Sequence, residues 1–432
     1  MAPDEPTLIV GGGIAGLMCA RTLARAGRRV LLLEKEDEVG GRVRTSARDG
    51  FLIDHGFQVL FSAYPVLSAA LDLPALQLRE FAPAARIARE SGEPALIGDP
   101  LADLALLWPS LVATPLSLPD KWRLLRLRSL ATSLSFDDCF APRFDKVSTR
   151  DFLRTRGFGA GAISNFFTPF YGGILLDRSL ESSASVLLYT FKMLAEGRTT
   201  VPAHGMGAIA EQLMASLPPL SVRTGTAVTR IRREDDGRVR GVTLASGEEL
   251  RASAVVLACD PLSIASLALT ARVHVSVPTA SLGCTTVYLR SNTPLLSGEA
   301  LWINAAANAT VSHAITISNV APTYAPTGSS LTAATMLGVS AVLDDSELIS
   351  RVRFDLAQMG RNKECANAEL LAVWRVPYSQ YAQPPGAVGR RVATETSAHG
   401  LILASEIGHT SSLEGAARGG TAAAQAVMRG TT

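Results

Sequence analysis

A glycine-rich turn between two apolar segments is the feature that most constrains this chain. Residues 7–10 form a short apolar run, GGGIAG follows at 11–16, and a helical pattern of small and aliphatic residues continues to Gly27. A second apolar run, residues 30–33, ends at Glu34. Strand, turn, helix and strand in this order predict a βαβ dinucleotide-binding unit. The chain is therefore predicted to contain a parallel α/β sheet.

Each glycine of this turn has a separate predicted role. Gly11 permits the tight turn, Gly13 lets the backbone approach a pyrophosphate, and Gly16 lets the helix pack closely on the strand. Glu34 is placed to accept hydrogen bonds from both hydroxyls of an adenosine ribose. The other residues predicted to contact the cofactor here are Ile14, Ala15 and Lys35. The alternative is a glycine turn without a chemical role.

The segment that follows the second strand distinguishes FAD from NAD. VGGRVRT at 39–45 resembles the GGRxxT element of the flavin-containing amine oxidoreductase and phytoene desaturase superfamily. In that superfamily the paired glycines and the arginine flank the FAD pyrophosphate and ribityl chain. The resemblance therefore implies bound FAD, contacted by Gly40, Gly41 and Arg42. The binding is expected to be noncovalent, because no Cys or His occupies a recognisable flavin-attachment motif. Two glycines allow close backbone approach, and a guanidinium can pair with phosphate oxygens; a plain surface cation is the alternative for Arg42.

The resemblance continues along the chain. FLIDHGFQVL at 51–60 is similar to the family segment that passes the flavin ring, and AYP at 63–65 is typical of a phytoene dehydrogenase-related or protoporphyrinogen oxidase-like subgroup. Residues 400–416 resemble the closing flavin motif, although Ser405-Glu406 replaces the usual Gly-Asp. There an acid binds a ribityl hydroxyl, and a helix N-terminus faces the flavin pyrimidine. The further cofactor contacts implied are Gly56, Phe57, Gln58, Val228, Glu406, Ser412 and Leu413.

These returning motifs predict an interleaved architecture. A Rossmann-like FAD-binding domain is expected from residues 1–75, 200–265 and 390–432, and an α+β substrate-binding domain from 76–199 and 266–389. Strand patterns are predicted at 221–228, 241–244 and 254–258. GMGAIA at 205–210 mimics a second dinucleotide turn but has Pro202 instead of an apolar strand in front. It is interpreted as a helix start, which leaves no nicotinamide site.

The charge balance and the cysteine count exclude several classes of binding partner. The formal net charge is +2, from 41 basic and 39 acidic residues, so the chain lacks the basic field of a nucleic-acid-binding protein. The five cysteines form no CxxC pair, which argues against a disulfide framework and a zinc site; no metal is expected. Without a secretory signal or an unbroken apolar span, the expected location is the cytoplasm. The oligomeric state stays open.

Residues 101–134 combine leucines, two tryptophans and several cations. On a helix, Leu124, Leu127, Ala131 and Leu134 would share one face. One interpretation is a helix that covers an apolar substrate cavity. The other is a basic amphipathic segment in peripheral contact with a membrane.

Three aromatic residues are candidates for the substrate pocket: Tyr171, Trp374 and Tyr378. His55 is interpreted as a hydrogen-bonded, buried histidine beside the flavin segment. No catalytic side chain can be named from the sequence. The segment that holds a flavin-supporting lysine in amine oxidases, residues 283–290, contains no lysine.

Three functions remain open. The first is an FAD-dependent oxidoreductase that removes hydride from an apolar, isoprenoid or polycyclic small molecule and passes electrons to oxygen or a quinone. The second is an amine oxidase for a small amine, which the missing lysine disfavours. The third is a flavin-binding protein without turnover.

Overall fold

The structure is a computed structural model that describes residues 5–338 and 344–430. It confirms the predicted mixed α/β class with a parallel sheet. The strands are β1 (Thr7–Val10), β2 (Val30–Leu33), β3 (Thr45–Arg48), β4 (Phe51–Asp54), β5 (Leu60–Phe61), β6 (Arg79–Glu80), β7 (Ala84–Ala88), β8 (Ala95–Gly98), β9 (Thr199–Val201), β10 (Val222–Arg223), β11 (Val228–Arg233), β12 (Val239–Leu244), β13 (Glu249–Arg251), β14 (Ala254–Leu257), β15 (Ser281–Ser291), β16 (Leu301–Asn304), β17 (His313–Thr316), β18 (Ser330–Leu337), β19 (Glu369–Tyr381) and β20 (Leu401–Leu403).

The α-helices are α1 (Ile14–Arg25), α2 (Pro65–Ala70), α3 (Leu107–Val112), α4 (Leu118–Ser133), α5 (Phe136–Cys139), α6 (Pro142–Asp145), α7 (Thr149–Thr155), α8 (Ala160–Ala162), α9 (Thr168–Ile174), α10 (Ala184–Glu196), α11 (Gly207–Ala215), α12 (Pro261–Thr270), α13 (Ile317–Val320), α14 (Asp345–Gly360) and α15 (Leu413–Gly430). A π-helical segment, Ile163–Phe167, precedes α9, and short 3-10 helices lie at Leu104–Leu106, Pro322–Tyr324, Lys363–Asn367, Val388–Arg390 and Glu406–Gly408.

A five-stranded parallel sheet in the order β10-β2-β1-β14-β20 carries the first predicted unit. Every residue of β1 and β14 is buried, as expected for central parallel strands that are covered on both faces. The carboxyl ends of β1, β2, β14 and β20 meet at one edge, where a doubly wound sheet binds its ligand. The sheet therefore brings together residues that are almost 400 positions apart in sequence.

Helices α1 and α15 cross closely against this sheet because small residues line their contact. A Cβ added at Gly420 would lie 2.2 Å from the Ala15 carbonyl oxygen, and one added at Gly16 would lie 2.0 Å from the Gly11 carbonyl oxygen. No larger side chain fits at either position. The close packing that the sequence predicts for Gly16 is thus present. Helix α15 uses a glycine, Gly420, in the same way to approach α1.

One strand prediction was wrong. Residues 221–228 were expected to form a single strand, but Gly225, with a φ of +59°, turns the chain between β10 and β11. The Gly225 and Thr226 amides donate to the carbonyl oxygens of Glu36 and Glu34 at 2.8 and 2.7 Å. Strand β10 therefore joins the parallel sheet, while β11 belongs to a separate antiparallel sheet with β12 and β13.

A seven-stranded mixed sheet in the order β19-β15-β18-β17-β16-β7-β8 forms the second large layer. Alternation along β15 sends Val287 and Leu289 into a core with α14, while Cys284 and Thr286 face the opposite side. That opposite side turns toward residues 55–58, because the Phe57 amide donates to the Thr286 hydroxyl at 3.2 Å. The strands of the two large sheets come from the segments predicted for each domain; the domain boundaries themselves stay a prediction.

The helical segments between β8 and β9 close one side of this second layer. Helix α4 contains Leu124, Leu127 and Ala131 of the predicted face, and Leu134 follows its last residue. Leu127, Ala131 and Leu134 are buried, and Leu124 is half-buried against the same core. Within residues 5–338 and 344–430, no helix has the length and apolar character that a membrane span requires.

Candidate functional site

A cavity of about 1230 Å³ opens at the carboxyl edge of the parallel sheet. It begins at the Glu34 end of β2 and runs past the turn after β1 and the N-terminus of α15. It then continues between the seven-stranded sheet and the helical segments as far as Phe170 and Leu124. We call the part bounded by the parallel sheet the cofactor end and the remainder the substrate end.

The glycine-rich turn forms one wall of the cofactor end. Gly11, Gly13, Ile14 and Ala15 line the cavity, whereas Gly16 is turned away from it and packs on Gly11. Gly11 has a φ of +112°, and a Cβ there would lie 2.7 Å from the Ala258 carbonyl oxygen. A Cβ added at Gly13 would meet no atom within 4 Å. The space over Gly13 is thus open at the N-terminus of α1, as a bound pyrophosphate requires.

Glu34 is held in place by backbone amides. It is 7% exposed, and its Oε2 accepts from the Gly12 amide at 2.6 Å while its Oε1 accepts from the Glu36 amide at 3.0 Å. A carboxylate has further lone pairs, so both oxygens can still accept from ribose hydroxyls. Lys35 also lines the cavity, but its side chain is 68% exposed and lies 3.6 Å from Glu36.

A second glycine turn lies on the first. The Gly40 amide donates to the Gly12 carbonyl oxygen at 2.8 Å, and a Cβ on Gly41 would come within 3.3 Å of the Gly13 Cα. Gly40 and Gly41 have φ values of +114° and +60°, which favour glycine. Both residues line the cavity, so the two turns together present backbone without side chains to one ligand.

Arg42 and Glu406, which were predicted to contact different parts of the cofactor, contact each other. Arg42 Nη2 donates to the two carboxylate oxygens of Glu406 at 2.6 and 2.7 Å, and Nη1 donates to the Ser379 carbonyl oxygen at 2.9 Å. The Glu406 charge raises the pKa of the Arg42 guanidinium further above its usual value. Both side chains line the cavity, and their roles toward phosphate and ribityl groups stay predictions.

Gly56, Phe57 and Gln58 all line the cavity where the cofactor end and the substrate end meet. The Gln58 side-chain amide donates to the Arg42 carbonyl oxygen at 2.7 Å. Its Oε1 is buried and has no hydrogen-bond partner among the described residues. An acceptor that is buried without a partner is unfavourable, so this oxygen is suited to a donor group of a bound ligand.

The remaining predicted contacts lie where α15 begins. This helix starts at Leu413, and the Ser412 hydroxyl caps it by accepting from the Gly415 amide at 2.9 Å. Ser412, Leu413 and Val228 line the cavity. The N-terminus of α15 therefore directs its dipole into the cavity, where it favours negative charge.

These features fit FAD. The cofactor end offers two side-chain-free turns, two helix N-termini, a carboxylate fixed by amides and a buried orphan acceptor in one continuous space. Such a set suits a pyrophosphate, a ribose and a polar ring system joined in a chain.

The substrate end is built from apolar and aromatic side chains. Tyr171 lines it and is only 2% exposed; its ring packs edge-on against Phe170 and stacks with Phe191 at centroid distances of 5.0 and 6.1 Å. Tyr378 also lines the cavity, with its hydroxyl donating to the Pro278 carbonyl oxygen at 3.2 Å. Two of the three predicted pocket aromatics therefore lie at the cavity surface.

Trp374, the third, does not line the cavity. Its indole stacks on the His55 ring at a centroid distance of 3.8 Å, and His55 is the residue that reaches the cavity. His55 is half-buried rather than buried, and its Nε2 is hydrogen-bonded to the Ser46 hydroxyl at 2.7 Å. Burial and the nearby Arg44 lower the pKa of His55 to about 4. The prediction for Trp374 was wrong because β19 places it behind His55.

His313 is a cavity residue that sequence reasoning missed. It is 6% exposed, lines the substrate end and lies beside Phe57 at a ring-centroid distance of 5.5 Å. Its Nδ1 is buried without a hydrogen-bond partner among the described residues. Burial and the Arg178 charge lower the pKa of His313 to about 4, so its imidazole is neutral at pH 7. The one available signal was a histidine inside an apolar run, HAIT at 313–316.

Two buried carboxylates were also missed, and both connect parts of the site. Asp54 accepts from the Thr45 hydroxyl, the Met206 amide and the Tyr324 hydroxyl at 2.5, 2.9 and 2.9 Å. Burial raises the pKa of Asp54 to about 6. Glu414, fully buried in the first turn of α15, accepts from the amides that begin α2. Both residues lie in segments that resemble family motifs, at 51–60 and 400–416, but the sequence did not indicate their roles, because most of their partners are distant in sequence.

The second glycine cluster is a helix start, as predicted. Helix α11 begins at Gly207, and none of residues 205–207 lines the cavity. A short strand does precede it, contrary to expectation, since β9 covers Thr199–Val201. This strand pairs antiparallel with β5 and β6 and lies outside the parallel sheet. It therefore does not build a second βαβ unit.

Comparison with known proteins agrees with this geometry. The model of the family described as flavin containing amine oxidoreductase matches residues 14–428. A coproporphyrinogen III oxidase of Propionibacterium freudenreichii subsp. freudenreichii is 31% identical over 172 residues, which are 39% of this chain and 31% of that protein. A putrescine oxidase of Kocuria rosea is 42% identical over 71 residues, 16% of this chain and 15% of that protein. The chain thus matches less than a third of the length of either relative.

Solved structures give the same fold over almost the whole chain. The crystal structure of an oxidoreductase from Methanosarcina mazei superposes with a TM-score of 0.73, covering 98% of this chain and 100% of that one. Sequence identity in this comparison is 18%, so it establishes the fold and nothing finer.

Proposed function

This chain belongs to the flavin-containing amine oxidoreductase family, and from that premise we propose that it is an FAD-dependent oxidoreductase acting on an apolar substrate. The substrate is an isoprenoid or polycyclic molecule from which hydride is removed. FAD is held noncovalently, and oxygen or a quinone takes up the electrons. Bound FAD supplies the hydride-accepting chemistry, which no side chain of the cavity can provide.

The observation that carries the proposal is the lining of the substrate end. Aromatic and aliphatic side chains from three separate parts of the chain meet there, and the buried histidine among them is neutral at pH 7. Apolar walls favour an apolar ligand and exclude water from the reacting groups. The apolar residues that define this end are Phe57, Phe81, Phe166, Phe170, Tyr171, Ile174, Leu194, Leu301 and Ile303.

The chain's own groups divide the remaining tasks. The turns at Gly13 and Gly41 and the first amides of α1 hold the pyrophosphate, and Glu34 orients the ribose. The N-terminus of α15 at Ser412 and Leu413 stabilises negative charge that develops near it. The substrate end positions the donor carbon and keeps bulk water away.

Noncovalent binding is supported by the state of the two thiols that line the cavity. Burial raises the pKa of Cys259 to about 12 and also raises the pKa of Cys284, so both cavity thiols stay protonated at neutral pH. The purified protein should therefore be yellow, and acid precipitation should release the colour as FAD. Colour retained in the pellet, or release of FMN, would contradict this.

A small amine is the competing substrate, in line with the putrescine oxidase match. Cys284 is the residue of β15 that lines the cavity, and the lysines that line it are Lys35, beside Glu34, and Lys121, at the start of α4. Neither is placed to support a reaction in the middle of the cavity. This observation favours the apolar substrate over the amine.

Anaerobic mixing of the yellow protein with candidate donors tests the proposal. Lipid extracts should contain a compound that bleaches the flavin absorbance, and air or a quinone should restore it. NADPH should bleach it slowly, because the chain has one βαβ unit of the required kind within the described residues. Rapid bleaching by small primary amines would transfer the assignment to an amine oxidase, and no bleaching by any donor would favour a binding protein without turnover.

A further inference from the structure

Large apolar side chains that are exposed concentrate in one short part of the chain. Around helix α3 and the start of α4, we define an apolar rim of six residues: Leu101, Leu104, Trp108, Val112, Leu118 and Trp122, with exposures of 69, 80, 70, 54, 66 and 64%. Single exposed apolar residues are normal on a protein surface, but a group of this density marks an interaction surface.

The rim is one surface, because the two helices that carry it are tied together. The Lys121 ammonium donates to the Leu111 carbonyl oxygen at 2.5 Å, which joins the start of α4 to the end of α3. Leu118 and Trp122 lie one helical turn apart on α4, on the side away from the buried Leu127. Helix α4 thus has one apolar stripe in the core and a second one facing outward.

The rim is continuous with the substrate end of the cavity. Leu107, Leu111 and Leu125 are 56, 47 and 46% exposed, and the same three residues line the cavity. They connect the outer apolar surface to the interior without a polar barrier of their own. An occupant of the rim therefore stands directly at the cavity entrance.

The charges of residues 101–134 indicate which kind of partner binds the apolar rim. Residues 101–134 contain four cations and two acids. Both acids are engaged within the segment's own structure: Asp103 accepts from the Ala105 amide at 2.9 Å, and Asp120 is buried beside Arg123 at 3.0 Å. Arg128 pairs with Asp99 at 3.0 Å, so Lys121 and Arg126 are the cations of the segment without an ion pair among the described residues. Arg126 is exposed on the same helix. Apolar side chains with tryptophans and cations beside them suit an interface between anionic lipid headgroups and acyl chains.

We propose that the apolar rim docks the protein on the surface of a membrane that contains anionic phospholipid. A second copy of the chain fits less well, since two rims meeting face to face would bring like charges together. Docking itself does not depend on the proposed activity. If that activity is correct, the entrance at Leu107, Leu111 and Leu125 receives a lipophilic substrate from the bilayer.

Vesicle binding by the full-length, flavin-loaded protein tests the proposal. With phosphatidylcholine vesicles that contain phosphatidylglycerol, the wild type should co-sediment, and emission from the exposed Trp108 and Trp122 should shift to shorter wavelength. A Trp108→Gln/Trp122→Gln variant should need about tenfold more lipid for half-maximal binding. Leu104→Ser/Leu118→Ser, which keeps both tryptophans, should reduce the spectral shift.

A matched control uses exposed apolar residues elsewhere on the surface. Phe354 and Leu269 are 64 and 58% exposed, so Phe354→Gln/Leu269→Gln should bind vesicles like the wild type. All the variants lie outside the cavity lining, and unchanged flavin content would show that they fold. No binding by the wild type, or equal weakening in the control, would overturn the proposal. A concentration-dependent dimer that the rim substitutions abolish would assign the surface to a second copy.

Discussion

The two ends of the cavity are built by different means. At the cofactor end, backbone contributes to the wall through two glycine turns and two helix N-termini, and Glu34 is fixed by main-chain amides. At the substrate end the wall is side chains, contributed by strands and helices from distant parts of the sequence. Backbone walls need glycine at fixed spacing and leave a motif in the sequence, whereas side-chain walls need only suitable residues that meet after folding.

The comparison predicts different consequences for two neighbouring glycines, and here the largest effect is expected. Gly13→Val should fold, because a Cβ there meets nothing within 4 Å and its φ of −73° suits any residue. It should lose FAD affinity by at least 100-fold, or about 2.7 kcal/mol, because the side chain fills the phosphate space. Titration of the apoprotein with FAD measures this.

Gly16→Val is the matched variant. Its Cβ would lie 2.0 Å from the Gly11 carbonyl oxygen, so it should lower the melting temperature of the apoprotein itself. A folded Gly13→Val protein with full FAD occupancy would refute the phosphate-turn assignment. Equal melting temperatures for the Gly16→Val variant and the wild type would refute the packing role of Gly16.

A side-chain contact at the same end should matter less. Glu34→Ala is expected to weaken FAD binding by about 1.5–3 kcal/mol, since charge-assisted hydrogen bonds to a ribose are lost. Lys35→Ala is the control: this neighbouring side chain is 68% exposed, and its removal should change affinity by about threefold or less. Equal losses of FAD affinity for the two variants would show that general charge near the ribose, and not the fixed carboxylate of Glu34, holds the ribose.

The sequence predicted the cofactor end well for the reason given above. Gly11, Gly40 and Gly41 adopt positive φ values that favour glycine, Gly13 keeps the space at the N-terminus of α1 open, and each of the four lies at the cavity wall. The apolar runs also predicted the parallel sheet that carries these turns.

The substrate end could not be predicted to the same degree. Trp374 and Tyr378 are four residues apart on one strand, yet only Tyr378 reaches the cavity, because His55, directly after β4, stacks on the tryptophan. His313 reaches it through a strand that no motif marks. Asp54 and Glu414 are fixed by partners more than 150 positions away.

The buried histidine of the substrate end gives a prediction for pH. The pKa of His313 is lowered from 6.5 to about 4 in the folded protein, so between these values the unfolded chain binds more protons. The free energy of unfolding should therefore fall as the pH is lowered from 7 to 5, with about 2 kcal/mol of the loss due to His313. In His313→Gln the fall should be smaller by that amount.

Other groups also contribute to the acid dependence, so the comparison is between variants. Burial lowers the pKa of His55 and His409 to about 4 as well, and the raised pKa of Asp54 acts in the opposite direction over the same range. All three are unchanged in His313→Gln and cancel. Exposed His204 serves as the control, and His204→Gln should retain the wild-type slope. Urea unfolding at pH 7, 6 and 5 provides the measurement. If the free energy of unfolding depended on pH equally in His313→Gln and the wild type, the assignment of a buried, neutral imidazole to His313 would be wrong.

The smallest effects, on KM, are expected for two aromatic residues that were both predicted to line the substrate pocket. Tyr171 forms part of the cavity wall, so Tyr171→Leu should raise the KM of an apolar substrate about fivefold or more by removing aromatic contact area. Trp374 lies behind His55, and Trp374→Phe keeps a ring for the His55 stack, so KM should change by less than about twofold. The two substitutions remove similar kinds of surface and differ in whether that surface faces the cavity. A larger KM change in Trp374→Phe than in Tyr171→Leu would mean that the substrate displaces His55 and binds against the indole, and the boundary of the substrate end would then have to be drawn at β19.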